Sequence, residues 1–317
     1  MREKTKLDTK DRRLLAELDA NSRISLSELS KKLRVSRETV NYRIKRLILS
    51  GYIRRFVTHI DYTKLGYDIY AIYFKFGIID EKKEIEIINY LKNLPNTNWA
   101  AQVGGRFDFI LEFPAKNIRD FKRRSEEILS KYPTEFIKND VAVFTLQERL
   151  NRRYLYPISQ KIVQEKEKFI EISEKEKRVI DILKGHARMP TSEIAKRTKI
   201  PASTVALFIK NLKKRGIIKN FTIMMDPTKM DYHNFKACIK MSKYSEKIKS
   251  KMQMFCENNQ FVVYYIACVG PWDYEIDFET TSHSQYRRAL RDFTNLMGDA
   301  LSDIETMEIF NTFRFNV

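Results

Sequence analysis

Shifted by 165 residues, the chain falls on itself without an insertion or deletion, and no other feature restricts the possible folds so strongly. Arg23 meets Arg188, Thr39 meets Thr204, Val40 meets Val205 and Gly51 meets Gly216; further on, Asp61 meets Asp226, Tyr67 meets Tyr232, Gly105 meets Gly270, Asp108 meets Asp273 and Phe113 meets Phe278. Solenoid repeats have periods of ~20 to 50 residues, so this period belongs to a duplicated multidomain unit. A chain of 317 residues has room for such a pair, each domain with its own core.

Each unit opens with helical periodicity. Leu14, Leu15 and Leu18 share one face of residues 9 to 20, and Ser25 with Glu28 has capping-box spacing ahead of Leu29 and Leu33. Ser36 can cap a third helix whose Val40, Ile44 and Leu47 recur at four and three residues and so face inward, with Gly51 as its stop. Three short helices with a tight turn before the third predict a helix-turn-helix, whose last helix enters the major groove.

Removing the inward positions leaves Arg37, Glu38, Asn41, Tyr42, Lys45 and Arg46 facing outward, with Ser36 at the helix start and Arg54 and Arg55 in an expected wing strand. Arginine can donate bidentately to guanine and asparagine can bond adenine on two edges, while Lys45 and Arg46 further along suit phosphates. A solvated helix face would explain a run of charge but not its position on this helix. The chain has 59 Lys and Arg against 41 Asp and Glu, a formal charge of +18, which favours a polyanionic partner and agrees with double-stranded DNA.

The second head keeps the inward Val205, Ile209 and Leu212, but its outward positions are Ala202, Ser203, Ala206, Leu207 and Lys210. It has the scaffold without the readers. Lys210, Lys213, Lys214, Arg215 and Lys219 are left as candidates for phosphates, and non-specific DNA contact or a protein interface is expected there.

After each head the period changes. Residues 68–77 read as a strand, 82–94 as an amphipathic helix, 98–104 and 107–115 as strands, 118–131 as a helix and 137–147 as a strand, the βαββαβ order of a ferredoxin-like domain. The face opposite the helices, assigned Tyr73 and Phe109, needs a cover, and pairing of two such sheets would supply it within one chain or in a homodimer. The expected fold class is α+β, with winged helix-turn-helix domains alternating with ferredoxin-like domains. The expected boundaries are 1–62, 63–152, a partly helical linker over 153–171, then 172–227 and 228–317.

The segments LDTKDRRLLAEL, RISLSELSKKL, VSRETVNYRIKRLILSGYI and GRFDFIL, in this order and spacing, resemble the Lrp/AsnC family of feast-and-famine transcription regulators over residues 7 to about 150, and more loosely over 172–317. The resemblance implies a DNA-binding regulator whose βαββαβ domain takes a small effector, often an amino acid, near a Gly-acid-aromatic-Asp turn. The matching turns are Gly105-Arg106-Phe107-Asp108 and Gly270-Pro271-Trp272-Asp273, both without the acidic second residue. Effector binding at Gly105, Arg106, Asp108, Gly270, Trp272 and Asp273 stands beside a plain hairpin reading, since glycine suits the geometry of either.

Siroheme decarboxylases are similar in fold and form the alternative. They hold a tetrapyrrole with His and Arg around the second strand of the ferredoxin-like domain, where this chain has Asn98 to Gln102 and Val262 to Ile266, with neither residue type. His59, His186, His233 and His283 lack metal-ligand spacing; His186 and His283 are expected on the surface and His59 and His233 at strand edges. Neither a nucleophilic triad nor a phosphate-binding glycine loop can be assembled, so the expectation is a non-enzyme with no cofactor and no metal. Cys238, Cys256 and Cys268 form no CxxC pair and suit buried thiols in a reducing cytosol, and without a signal peptide or a span of ~20 apolar residues the expected location is cytoplasmic.

Overall fold

The computed structural model describes residues 6–162 and 169–315. The first head contains α1 (Thr9–Ala20), α2 (Leu26–Leu33), α3 (Arg37–Leu49) and the wing strand β1 (Ile53–Ile60). Capping boxes fix the starts of α1 and α2: Asp8 with Asp11, and Ser25 with Glu28. Ser36 accepts from the Thr39 amide at the start of α3, and Gly51, at φ +77°, follows its end. Leu14, Leu15, Leu18, Leu29, Val40 and Leu47 are fully buried together.

The first ferredoxin-like unit follows as β2 (Asp68–Phe76), α4 (Glu81–Lys92), β3 (Trp99–Gly104), β4 (Phe109–Ala115), α5 (Ile118–Leu129) and β5 (Phe136–Arg149). The second copy repeats the order: α6 (Glu174–Gly185), α7 (Thr191–Thr198), α8 (Ala202–Lys214) and β6 (Ile218–Met225), then β7 (His233–Met241), α9 (Glu246–Asn258), β8 (Val262–Val269), β9 (Tyr274–Thr280), α10 (His283–Met297) and β10 (Leu301–Phe315). The described residues of the linker carry no helix, contrary to expectation, and residues 163–168 of it lie outside the described residues.

The two copies pair with each other. The wings β1 and β6 form an antiparallel ribbon, and the two four-stranded sheets join edge to edge at β5–β8 and β3–β10 into a closed eight-stranded barrel. Closure removes the unpaired edges that an open sheet would expose. The inner faces meet inside the barrel, while α4 and α5, and α9 with α10, cover the outside of their own sheets.

Tyr73 points inward as expected, but Phe109 does not. It lies opposite Phe74, both pack under the helices, and the inward residue paired with Tyr73 is Ile110. Neighbouring residues of a strand point to opposite faces, so an assignment one residue out of register reverses the side chain.

Candidate nucleic-acid interface and head to barrel joint

Arg37, Glu38, Asn41, Tyr42 and Lys45 are exposed on α3, as their spacing predicts. Arg46 is not a free phosphate ligand: its guanidinium bonds Asp11 at 2.5 Å, beside Arg43, which bonds Asp11 at 2.7 Å and Asp8 at 2.8 Å. Asp11 is fully buried, and a buried carboxylate requires such partners. The result is a clamp that sets α3 on α1. Ser36 is likewise occupied as a cap, its Oγ 3.1 Å from the Thr39 amide.

Of the wing arginines, Arg55 is exposed, whereas Arg54 bonds Asp226 of the second copy at 2.5 Å. On α8, Lys210, Lys213 and Lys214 are exposed, beside Ala202, Ala206 and a half-exposed Leu207. Two cations expected at phosphates are engaged elsewhere. Lys219 bonds Glu148 of the barrel, and Arg215 bonds Glu176 at 2.7 Å.

The heads clasp each other reciprocally. The Arg23 guanidinium donates to the carbonyls of Ala187 (2.6 Å) and Met189 (3.0 Å), and Arg188 donates to those of Ser22 (2.6 Å) and Ile24 (3.2 Å). These two arginines, equivalent positions of the repeat, thus form an approximate two-fold contact. A second joint ties the first head to the barrel. Asp19 at the end of α1 is fully buried and accepts from Arg149, from Arg152 Nη1 (2.8 Å) and from the Arg152 amide (3.0 Å), while Arg152 forks onto Glu279 of β9 with two bonds of 2.8 Å.

The turns matched to an effector site hold the barrel's hairpins. Asp108 accepts from the Phe76 amide (2.7 Å) and Lys75 Nζ (3.0 Å), and Asp273 repeats this with the Met241 amide (2.8 Å) and Lys240 Nζ (3.2 Å). Gly270, at φ +153°, passes so close to β5 that a Cβ would stand 2.5 Å from the Val141 carbonyl oxygen; at Gly105, φ +126°, a Cβ would stand 3.2 Å from that of Thr306, a looser contact. Both glycines therefore serve barrel closure. Trp272 is buried, donating to Glu275 (2.8 Å) and meeting Tyr73 edge-on at 4.7 Å, while Arg106 bridges Asp140 (3.0 Å) and Glu305. None of these six residues lines either of the two clefts between head and barrel.

Polar residues with no motif of their own in the sequence meet inside the barrel. Lys236 is buried with Glu275 at 2.6 Å and Asp277 at 2.8 Å, and Tyr73 also bonds Glu275. Glu112 lies nearby; burial, reinforced by Glu275 and Asp277, pushes its carboxyl up to about 8 against the opposing effect of Lys236. Glu275 and Asp277, two apart on β9, share one strand face, a spacing that could have marked them, but their partner Lys236 lies on another strand.

His186, His233 and His283 are exposed, but His59 is not at an exposed edge. It is buried at the joint of wing and barrel, its protonation disfavoured by burial and by Lys219 and Arg149. The three cysteines are buried free thiols. Among the described residues no group of three or more His, Cys, Asp or Glu side chains is placed to hold a metal ion, and no helix is long and apolar enough to cross a membrane.

Comparison with known proteins agrees with this geometry. Winged helix-turn-helix DNA-binding domains match residues 7–54 and 172–219, one in each copy. An uncharacterized HTH-type transcriptional regulator of Pyrococcus horikoshii is 36% identical over 118 residues, 37% of this chain and 79% of that protein. The chain belongs to the helix-turn-helix transcription regulators. An HTH-type transcriptional regulator of Mycobacterium tuberculosis is 31% identical over 149 residues, 46% of this chain and 97% of the relative. Among solved structures, the siroheme decarboxylase NirDL superposes with a TM-score of 0.63 over 97% of this chain and 93% of its own, at 16% identity, which shows a shared fold.

Proposed function

We propose that this Lrp/AsnC regulator reads one specific half-site of duplex DNA with α3 and holds the adjoining duplex through α8 by its phosphates alone. The observation that carries the reading is the pairing of two unequal heads in one chain: Arg37 and Asn41 are exposed on α3, and Ala202 and Ala206 occupy the equivalent positions on α8. In a symmetric dimer, identical heads call for a palindromic site. Here a single chain presents one reading surface, and Arg55, Lys45, Lys210, Lys213 and Lys214 supply phosphate contacts.

Two expected results test this. Arg37→Ala should relax discrimination at one base position by about 1 to 3 kcal/mol, whereas Lys45→Ala should weaken all sequences alike; fluorescence anisotropy on a set of single-base variants separates them. Equal behaviour of the two variants would overturn the assignment of roles. Footprinting with a complex of one chain per duplex, fixed by mass, should show base preference on one side only. A symmetric palindrome under that stoichiometry would refute the half-site reading.

The same proposal treats the chain as a cytoplasmic non-enzyme. The decarboxylase fold is shared, but no His or Arg stands at Asn98–Gln102 or Val262–Ile266, and the buried His59, its protonation disfavoured by burial and by Lys219 and Arg149, is poorly suited to donate a proton. The relatives' names as transcriptional regulators favour the same reading. An amino-acid effector at the two turns would have to meet side chains already committed to the hairpins, so a small-molecule effector is better sought elsewhere.

A further inference from the structure

The duplication supplies an internal control on the clamp between α1 and α3. In the reading head the buried Asp11 accepts from Arg43 (2.7 Å) and Arg46 (2.5 Å), and Asp8 accepts from Arg43 as well (2.8 Å). At the equivalent positions of the second copy, Asp8 and Asp11 become Ser173 and Glu176, and Arg43 and Arg46 become Phe208 and Asn211. Glu176 is bonded instead by Arg215, just past the end of α8, at 2.7 Å. Yet α6 and α8 have the lengths of α1 and α3, 12 and 13 residues, and Val205 and Leu212 are as fully buried as Val40 and Leu47. A head of this shape therefore folds without the two arginines.

The clamp is also an incomplete one. Arg43 Nε and Arg46 Nε are buried, and neither has a hydrogen-bond partner. Buried ion pairs with donors left unmet contribute little beyond what packed neutral side chains of similar size would supply. What the clamp does change is where two cations point. Arg46 is on the outward arc of α3, next to the exposed Lys45, and only its bond to Asp11 turns the guanidinium away from the surface that meets the duplex.

We propose that Asp11 is a specificity determinant of the reading head, acting by withholding Arg43 and Arg46 from the DNA phosphates. The assignment rests on the DNA reading given above. Phosphate contacts carry no sequence information, so freed guanidiniums would strengthen binding to any duplex. A complex on unrelated sequence depends on such contacts alone and can shift along the duplex to make them, whereas Arg37 and Asn41 fix the register on a specific site. Release would thus favour the wrong sequences more than the right one.

Fluorescence anisotropy of the full chain on a poly(dI-dC) duplex, over a range of salt, tests the proposal through a graded series of variants. Asp11→Asn removes the charge but keeps an oxygen for the Asp8 amide, 3.1 Å away. At low salt it should raise affinity for poly(dI-dC) about tenfold and steepen the log-log salt slope by about 1 to 2, the contribution of about one or two added phosphates. A duplex selected from random sequence by the wild-type chain should gain less, so that preference over poly(dI-dC) falls. Asp11→Asn/Arg43→Phe, which leaves only the partly exposed Arg46 free, should steepen the slope by about 1 and serves if the single variant loses its helical circular dichroism. Asp11→Asn/Arg43→Phe/Arg46→Asn, with the second head's residues at both arginine positions, should return the slope to the wild-type value. A clamp that only held helices together would leave the slope unmoved throughout. An unmoved slope in the folded variants that free Arg46 would overturn the proposal. So would a triple variant with a slope shallower than wild type, since the arginines would then already meet phosphates. A wild-type chain whose binding ignores salt fails the DNA reading itself; a wild-type slope of the expected size with no change in the variants fails this assignment alone.

Discussion

Raising salt from 50 to 200 mM should weaken DNA binding by roughly 1000-fold, a log-log slope of about −5. The magnitude follows from about six neutralised phosphates, each releasing condensed counterions with a contribution of about −0.9 to the slope. The structure narrows which side chains can supply them. Lys45 and Arg55 on the reading head and Lys210, Lys213 and Lys214 on the other are exposed, whereas Arg46, Arg54, Arg215 and Lys219 are held by carboxylates of the protein itself. Neutralising Lys210, Lys213 and Lys214 together should lower the slope by about 2 to 3 without altering base preference. A flat salt response of the wild type in an anisotropy titration would rule out the phosphate-led mode.

Asp19→Ala should destabilise the chain by about 3 to 5 kcal/mol, because it leaves the Arg149 and Arg152 guanidiniums buried without their shared carboxylate. At this chain length that corresponds to a fall in the thermal midpoint on the order of 10 °C. The loss should be felt first between head and barrel, since Asp19 belongs to α1, Arg149 to β5 and Arg152 bridges onward to Glu279 of β9. Circular dichroism melting provides the measurement, with Arg123→Ala as comparison; Arg123 makes only solvent-exposed pairs with Asp120 and Glu127, and its loss should leave the midpoint where it is. Equal midpoints for wild type and Asp19→Ala would show that the buried cluster does not hold the joint.

What could be read from sequence was what local periodicity encodes. The inward leucines of α1 to α3, the strand and helix order and the exposure of Arg37, Asn41 and Lys45 all follow from spacings within one element. What could not be read depends on partners far along the chain. Arg46 sits on the outward arc of α3, but Asp11, 35 residues earlier, captures it. Lys219 is in a position suited to phosphate until Glu148 of the barrel comes beside it. His59 shows no signal of its own, because the cleft it faces exists only once β1, β6 and β5 are assembled. Phe109 marks a third kind of difference, in which a one-residue register decides between barrel interior and helix face.

Because both halves of the ribbon and the barrel lie on one chain, their association has no dependence on protein concentration. A regulator built from separate subunits loses its paired form on dilution, and its occupancy of DNA then falls more steeply than its abundance. Here the partner copy is always present at the effective concentration set by covalent linkage. Under the proposed half-site mode, occupancy should rise in simple proportion to protein concentration. The second head is thus free to drift at Ala202 and Ala206 as long as its exposed lysines remain and Arg188 keeps its grip on the first.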